Sequence, residues 1–249
     1  MIDPVLFADP VALDRVRHAK SCLKPGGVRH DRAAAMNSMF IAAVEFIDVA
    51  REYPIVFVEA GKGPEDQREV APMAVLGLSQ GENLMLQADG GWAARYVPAL
   101  LRGYPLGMAR AEGDSYVVVI DSKADALSET EGERIFDDSG KPTPMIEERR
   151  QFLEQFENEA QRTRMLGRAL IDLDLLQTMR FDATLPDGKK LTVDGFLAVD
   201  EKRLADLAHA KVVELHKNGV LGLIHAHLFS LGLMRALVER RLARATARV

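Results

Sequence analysis

Apolar and polar positions change their period along the chain, and the change predicts where sheet gives way to helix. Residues up to about 30 show no clear period and end on Lys24-Pro25-Gly26-Gly27, a turn signal. From Met36 to Ala50 the order of apolar residues predicts a short extended piece and then a helix. Val44, Phe46, Ile47 and Ala50 are expected to face inward there, with Glu45, Asp48 and Arg51 on the polar side. Tyr53-Pro54 ends that helix, because proline disfavours the α conformation of the residue before it. Ile55-Val56-Phe57-Val58 is a β-branched and aromatic run that reads as a buried strand. Gly61-Lys62-Gly63-Pro64 is a turn, and Met73 to Leu78 a second strand. Ser79-Gln80-Gly81-Glu82-Asn83 then connects, hairpin-like, into Leu84-Met85-Leu86. Tyr116 to Ile120 carries the strongest strand signal of all. Connections this short leave no room for repeated crossover helices, so the central sheet is expected to be mixed or largely antiparallel.

The pattern shifts after Ile120. Ser122 to Glu148 holds eight acids and three bases, with turn signals at Ser139-Gly140 and Pro142-Thr143-Pro144. It reads as a solvated connection over about 121–148. Beyond it Phe152, Phe156, Ala160, Leu166, Leu170 and Leu173 recur at helical spacing. Leu185-Pro186-Asp187-Gly188-Lys189 predicts a hairpin turn between short strands. Asp200 is placed to cap a helix carrying Leu204, Leu207 and Leu215, and Asn218-Gly219 to stop it before a final helix from about Val220. The expected fold is α+β in a single domain over 1–249. Its sheet-rich part covers about 28–120, and a helical C-terminal third covers about 149–245.

Charge and composition narrow the function. The 249 residues are 47% apolar, enough for a folded core, and 32 Lys+Arg against 37 Asp+Glu leave a net charge of −5. A nucleic-acid partner is not expected, because such binders carry a basic surplus to replace phosphate counterions. Cys22 is the single cysteine, so no internal disulfide forms. The N-terminal residues lack the basic patch and apolar run of a Sec signal. The most apolar stretch, Val220 to Met234, has 15 residues including His225 and His227, short of the roughly 20 that span hydrocarbon. It is expected to be a buried helix, not a transmembrane segment. Cytoplasmic residence is the default expectation, with surface association by a non-Sec route left open. Five arginines in the tail after Met234 suggest a solvated helix end, with a contact for acidic lipid or protein as the alternative.

Candidate chemistry is sparse. No phosphate-binding glycine loop, dinucleotide fingerprint or nucleophile elbow is present. His225 and His227 point about 200° apart on a helix and lack further ligands, so no metal is expected. Glu45 lies among apolar residues and Asp121 closes the strongest strand, but neither has an evident partner. The segment from Trp92 to Tyr104 is different: Trp92, Arg95, Tyr96, Arg102 and Tyr104 combine apolar faces, polar tips and stacking cations. Such sets suit recognition surfaces. A pocket between sheet and C-terminal helices, drawing on Glu45 and His227 with Trp92 and Tyr96, is the competing expectation.

Several blocks together resemble one family. Glu45-Phe46 with Tyr53-Pro54-Ile55-Val56-Phe57 is similar to the opening motif of the bacterial SapC family. Leu76-Gly77-Leu78 with Glu82-Asn83-Leu84 looks like its next block. Trp92, Tyr96-Val97-Pro98-Ala99 and Tyr104-Pro105 resemble its most distinctive one. Asp187-Gly188, Val199-Asp200-Glu201, Gly219, Ala226-His227-Leu228 and Ser230-Leu231 match its C-terminal half. The likeness covers about 28–240. One departure is Gly103-Tyr104-Pro105-Leu106, where the family pattern has a basic residue before the tyrosine and phenylalanine after the proline. The resemblance implies an accessory role in a bacterial envelope, surface-layer, secretion or nutrient-uptake system, its members tending to be encoded near TonB-dependent receptors and flavin-dependent halogenase-like proteins. Some relatives carry a peptide-transporter permease label, which the missing membrane spans contradict here; no cofactor is expected, and no catalytic residue transfers from the family. A protein or peptide partner bound at Trp92–Tyr104 is the leading expectation; an enzyme or small-molecule binder serving such systems is the alternative. The oligomeric state is left unassigned.

Overall fold

Brief β-branched runs separated by polar turns give short strands, and long amphipathic runs give helices. The computed structural model describes residues 2–24, 30–62, 67–111, 115–186 and 188–246. The first elements are β1 (Pro10–Ala12), β2 (Cys22–Leu23), β3 (Ser38–Phe40), α1 (Phe46–Val49), β4 (Ile55–Lys62) and β5 (Arg68–Val75). There follow α2 (Ala99–Gly103), β6 (Leu106–Arg110), β7 (Tyr116–Asp121), β8 (Leu127–Ser128), β9 (Glu133–Arg134) and the long α3 (Pro144–Asp172). The chain then runs through β10 (Leu176–Thr184), β11 (Lys190–Val199), α4 (Glu201–Ala205), α5 (His209–Lys217), α6 (Val220–Ser230) and α7 (Met234–Thr246). The fold is α+β, and its paired strands are antiparallel. The turns expected at Pro25–Gly27, Gly63–Pro64 and Asp187 fall outside the described residues.

The chain folds as two compact units, each assembled from separated segments. The first comprises Met1–Ala35, Leu86–Trp92 and Ala99–Asn158. Its sheet has the order β1-β7-β6, with Pro10 opposite Asp121 and Leu106 opposite Ile120; β8-β2-β9 forms a second, smaller one. Leu23, Leu106, Met108, Ile120, Ile135, Phe136, Ile146 and Leu153 make its core. The acidic stretch therefore corrects the reading of a mere connection. Its acids stay at the surface, while Ile135, Phe136 and Ile146 are buried. Helix α3 also starts earlier than its apolar period suggests, at Pro144, whose missing N–H costs nothing at a first helical position.

The second unit comprises Met36–Met85, Ala93–Pro98 and Glu159–Val249. Its sheet has the order β10-β11-β4-β5-β3. β10 and β11 form a long hairpin rather than short strands, paired from Leu176–Val199 to Thr184–Lys190. The later part of α3 buries Ala160, Thr163, Leu166 and Leu170. Asp200 caps α4, its carboxylate accepting the Lys202 and Arg203 amides. The helix expected there is split, α4 ending at Ala205 and α5 starting at His209. Gly219 follows α5 at φ 80°, a left-handed conformation that favours glycine, and α6 begins at the next residue.

Three expectations are corrected in this unit. Ala43–Glu45 is a 3₁₀ turn, so the inward phase shifts: Glu45 is buried, while Val44 and Ile47 are 65% and 54% exposed. Leu84-Met85-Leu86 is no strand; Leu84 and Met85 pack in a loop that the Arg241 side chain holds at Ser79 and Arg244 at the Asn83 carbonyl. The apolar stretch Val220 to Met234, expected as a buried helix too short to span hydrocarbon, is part of a longer and less buried one. With a 3₁₀ turn at Leu231–Leu233, helical structure runs unbroken from Val220 to Thr246, long and apolar enough by length and composition to cross a membrane.

Gly77 in that loop has a packing reason. A Cβ there would lie 1.9 Å from the Glu82 carbonyl oxygen, a backbone atom that cannot turn aside. Gly77→Ala is expected to cost about 2 kcal/mol, the range of core overpacking, as a lowered denaturant midpoint at unchanged m-value.

Candidate functional site

Both carboxylates that lack an evident partner in the sequence receive a tyrosine hydroxyl from the aromatic segment. In the second unit the 3₁₀ turn brings Glu45 round so that its Oε2 accepts the Ala42 N–H at 2.8 Å. Its Oε1 accepts the Tyr96 hydroxyl at 2.9 Å. Glu52 accepts the Arg95 and Tyr96 amides at 2.8 and 2.9 Å, and the Tyr53 hydroxyl donates to the Tyr96 carbonyl. Tyr96 is thus fastened at both backbone and side chain, whereas the Arg95 side chain stays exposed.

In the first unit the Tyr104 hydroxyl donates to Asp121 Oδ2 at 2.9 Å. Asp121 is fully buried and also accepts the Ala8, Asp9 and Lys123 amides. Burial pushes its carboxyl up, but those four hydrogen bonds outweigh it and hold the group below its ordinary value. Burial, reinforced by Asp121, raises the Tyr104 hydroxyl. Phe7 meets the Tyr104 ring edge-on at 5.4 Å. Tyr104 is therefore a core anchor that presents no face to a ligand.

Trp92, Arg102 and Tyr104 belong to the first unit and Arg95 and Tyr96 to the second. Arg102 is exposed and its guanidinium lies over the Phe152 ring, 5.1 Å from the centroid. Trp92 is half-buried at the end of a tight turn closed by the Gln87 amide on the Gly91 carbonyl at 2.8 Å. Its backbone bridges to Leu86. His30 meets the indole edge-on, centroids 5.4 Å apart, and its amide donates to the Gly90 carbonyl at 3.1 Å. The His30 Nδ1 is buried and has no hydrogen-bond partner among the described residues. Burial, opposed by Asp31, lowers the His30 pKa, so the ring is neutral at pH 7. Sequence reasoning misses His30, since a lone histidine beside a turn carries no signal of the indole 62 positions later.

His227 lies elsewhere in the second unit and is fully buried. Its Nε2 accepts the Val199 N–H at 3.0 Å and its Nδ1–H donates to the Ile55 carbonyl at 2.8 Å. Strands β4 and β11 pair at Leu197–Phe57, and that register continued would set Val199 opposite Ile55. The imidazole therefore occupies the next rung of the ladder, relaying a backbone hydrogen bond through a side chain. Ser230 completes the seam, accepting the Ile55 N–H at 2.8 Å and donating to the His227 carbonyl at 2.6 Å. Burial lowers the His227 pKa to about 4, which fixes the neutral ring. Both nitrogens are engaged by backbone. His225, two residues earlier, is exposed and stacks on Phe229. Among the described residues, no group of three or more His, Cys, Asp or Glu gathers that could hold a metal.

A family model described as SapC matches residues 13–237. No curated protein matches the chain, and no solved structure does.

Proposed function

The chain belongs to the SapC family, and on that premise we propose that it is a non-enzymatic accessory protein of a bacterial envelope system. It acts from the cytoplasm, in surface-layer, secretion or nutrient-uptake work, by capturing a protein or peptide with Trp92 as its anchor. One observation carries the reading: a half-exposed indole stands against a histidine whose buried Nδ1 has no partner among the described residues. Aromatic rings supply large contact area at small entropic cost and dominate binding hot spots. A neutral imidazole offers one donor and one acceptor, and a peptide group supplies the complement of either. Arg102, exposed in the same unit, offers a cation to acidic side chains of the partner. Tyr104, held by Asp121, fixes the end of the helix on which Arg102 is mounted.

Trp92 is the only tryptophan, so its emission reports contact without a label. Peptides selected from a displayed random library against the whole protein are expected to shift or quench that emission. Trp92→Ala should weaken their binding at least about tenfold with an unchanged far-ultraviolet spectrum and melting temperature. Peptides that bind the variant as tightly as the parent would place the capture site elsewhere.

A further inference from the structure

Helical structure from Val220 to Thr246 contains an 18-residue apolar window of which only 33% is buried. A core helix of that composition would be largely covered. Its inner face is committed, because His227 and Ser230 are bonded into the β4–β11 seam and Ile224, Met234 and Leu237 are buried. The helix therefore has one face left to offer. Gly222, His225, Phe229, Gly232, Arg235 and Glu239 form an exposed stripe at spacings of three and four. Phe229 is 79% exposed, and nothing lies within 4 Å of where a Cβ at Gly222 or Gly232 would sit, so its ring stands proud between bare backbone. Helix α1 packs against α6, and beside it Val44 and Ile47 are also exposed.

We propose that this outer face docks on an anionic lipid bilayer, with Phe229 as the inserted side chain. Charge selects the occupant. Val220 to Met234 contains no Asp, Glu, Lys or Arg, and it is bracketed by Lys217 and Arg235. Both cations are exposed and, among the described residues, neither has a side-chain hydrogen bond or ion pair; Arg240 is likewise unpaired. Lys217 to Thr246 holds five basic residues against the single acid Glu239. An apolar face with cations at its ends suits the boundary between acyl chains and anionic headgroups. The contact is peripheral, since drawing the helix into the hydrocarbon would tear His227 from the sheet. The face is made of second-unit residues, whereas Trp92 belongs to the first unit.

Flotation of the whole protein with vesicles of phosphatidylglycerol and phosphatidylcholine, against phosphatidylcholine alone, tests the proposal. Binding is expected to the anionic vesicles and to weaken with added salt. Phe229→Ser should lower the partition coefficient about tenfold or more, and Arg235→Gln about fivefold. Phe229→Leu should retain most of it and Trp92→Ala all of it. Phe229 and Arg235 are both exposed, so their variants should melt with the parent. Protein that stays unbound with anionic vesicles, or a Phe229→Ser variant that binds like the parent, overturns the proposal. A dimer that Phe229→Ser dissolves, without vesicle binding, would assign the face to a second copy instead.

Discussion

His227→Leu is expected to destabilise the protein by about 4 kcal/mol, because a side chain of similar bulk leaves the Val199 N–H and Ile55 carbonyl buried and unpaired. The loss should appear as a lowered denaturant midpoint at unchanged m-value. The same imidazole imposes a pH dependence with a definite sign. In the folded chain it stays neutral down to about pH 4, against an ordinary value of 6.5. Between those limits the unfolded chain binds the extra proton and the folded one does not. Stability from this group is therefore complete above the unfolded value and falls as pH drops from about 6.5 towards 4, by roughly 3 kcal/mol across the window. Unfolding midpoints measured through that range should show the slope in the parent. His227→Gln, whose amide can accept and donate without titrating, should flatten it while recovering part of the stability. A parent protein with constant stability from pH 7 to 4 would mean that the ring protonates in place.

Asp121→Ala should cost a comparable amount, again roughly 4 kcal/mol. The carboxylate is fully buried and takes hydrogen bonds from Ala8, Asp9, Lys123 and the Tyr104 hydroxyl. Removing it strands a buried phenol and amides that fix β1 beside β7. Tyr104→Phe removes one charge-assisted bond and should cost about 2 kcal/mol. The pair forms a double-mutant cycle, and a coupling energy near zero would show that Tyr104 does not rely on Asp121. The folded carboxyl is held below its ordinary value, so its contribution is lost only in acid below the unfolded carboxylate range. That separates it from the His227 slope at higher pH.

Local chemistry is legible in the sequence where it acts locally. The hairpin joining β10 to β11, the Asp200 cap, the Gly219 stop and the apolar face of α3 all follow from neighbours a few positions apart. The inversion at Val44, Glu45 and Ile47 shows the limit. An α-helix advances about 100° per residue, whereas a 3₁₀ turn advances about 120°, and Glu45 is turned inward onto the Ala42 amide and Tyr96. Ile135 and Phe136 are hidden by a charged surrounding, because exposed acids and a two-residue core insertion occupy the same window. For the candidate site, Glu45, Asp121, Tyr96 and Tyr104 all stand out as residues. That they form two carboxylate–tyrosine pairs does not, because each pair closes across the tertiary fold. His30 beside Trp92 is invisible for the same reason.

The imidazole rung between β4 and β11 bears on how the protein is made. A ribosome delivers Ile55 early, yet the ring that bonds its carbonyl arrives 172 positions later. Without that ring the two strands have their Leu197–Phe57 pairing but not the link at Ile55 and Val199. The β4–β11 seam of the second unit can therefore be completed at Ile55 and Val199 only once α6 has been made.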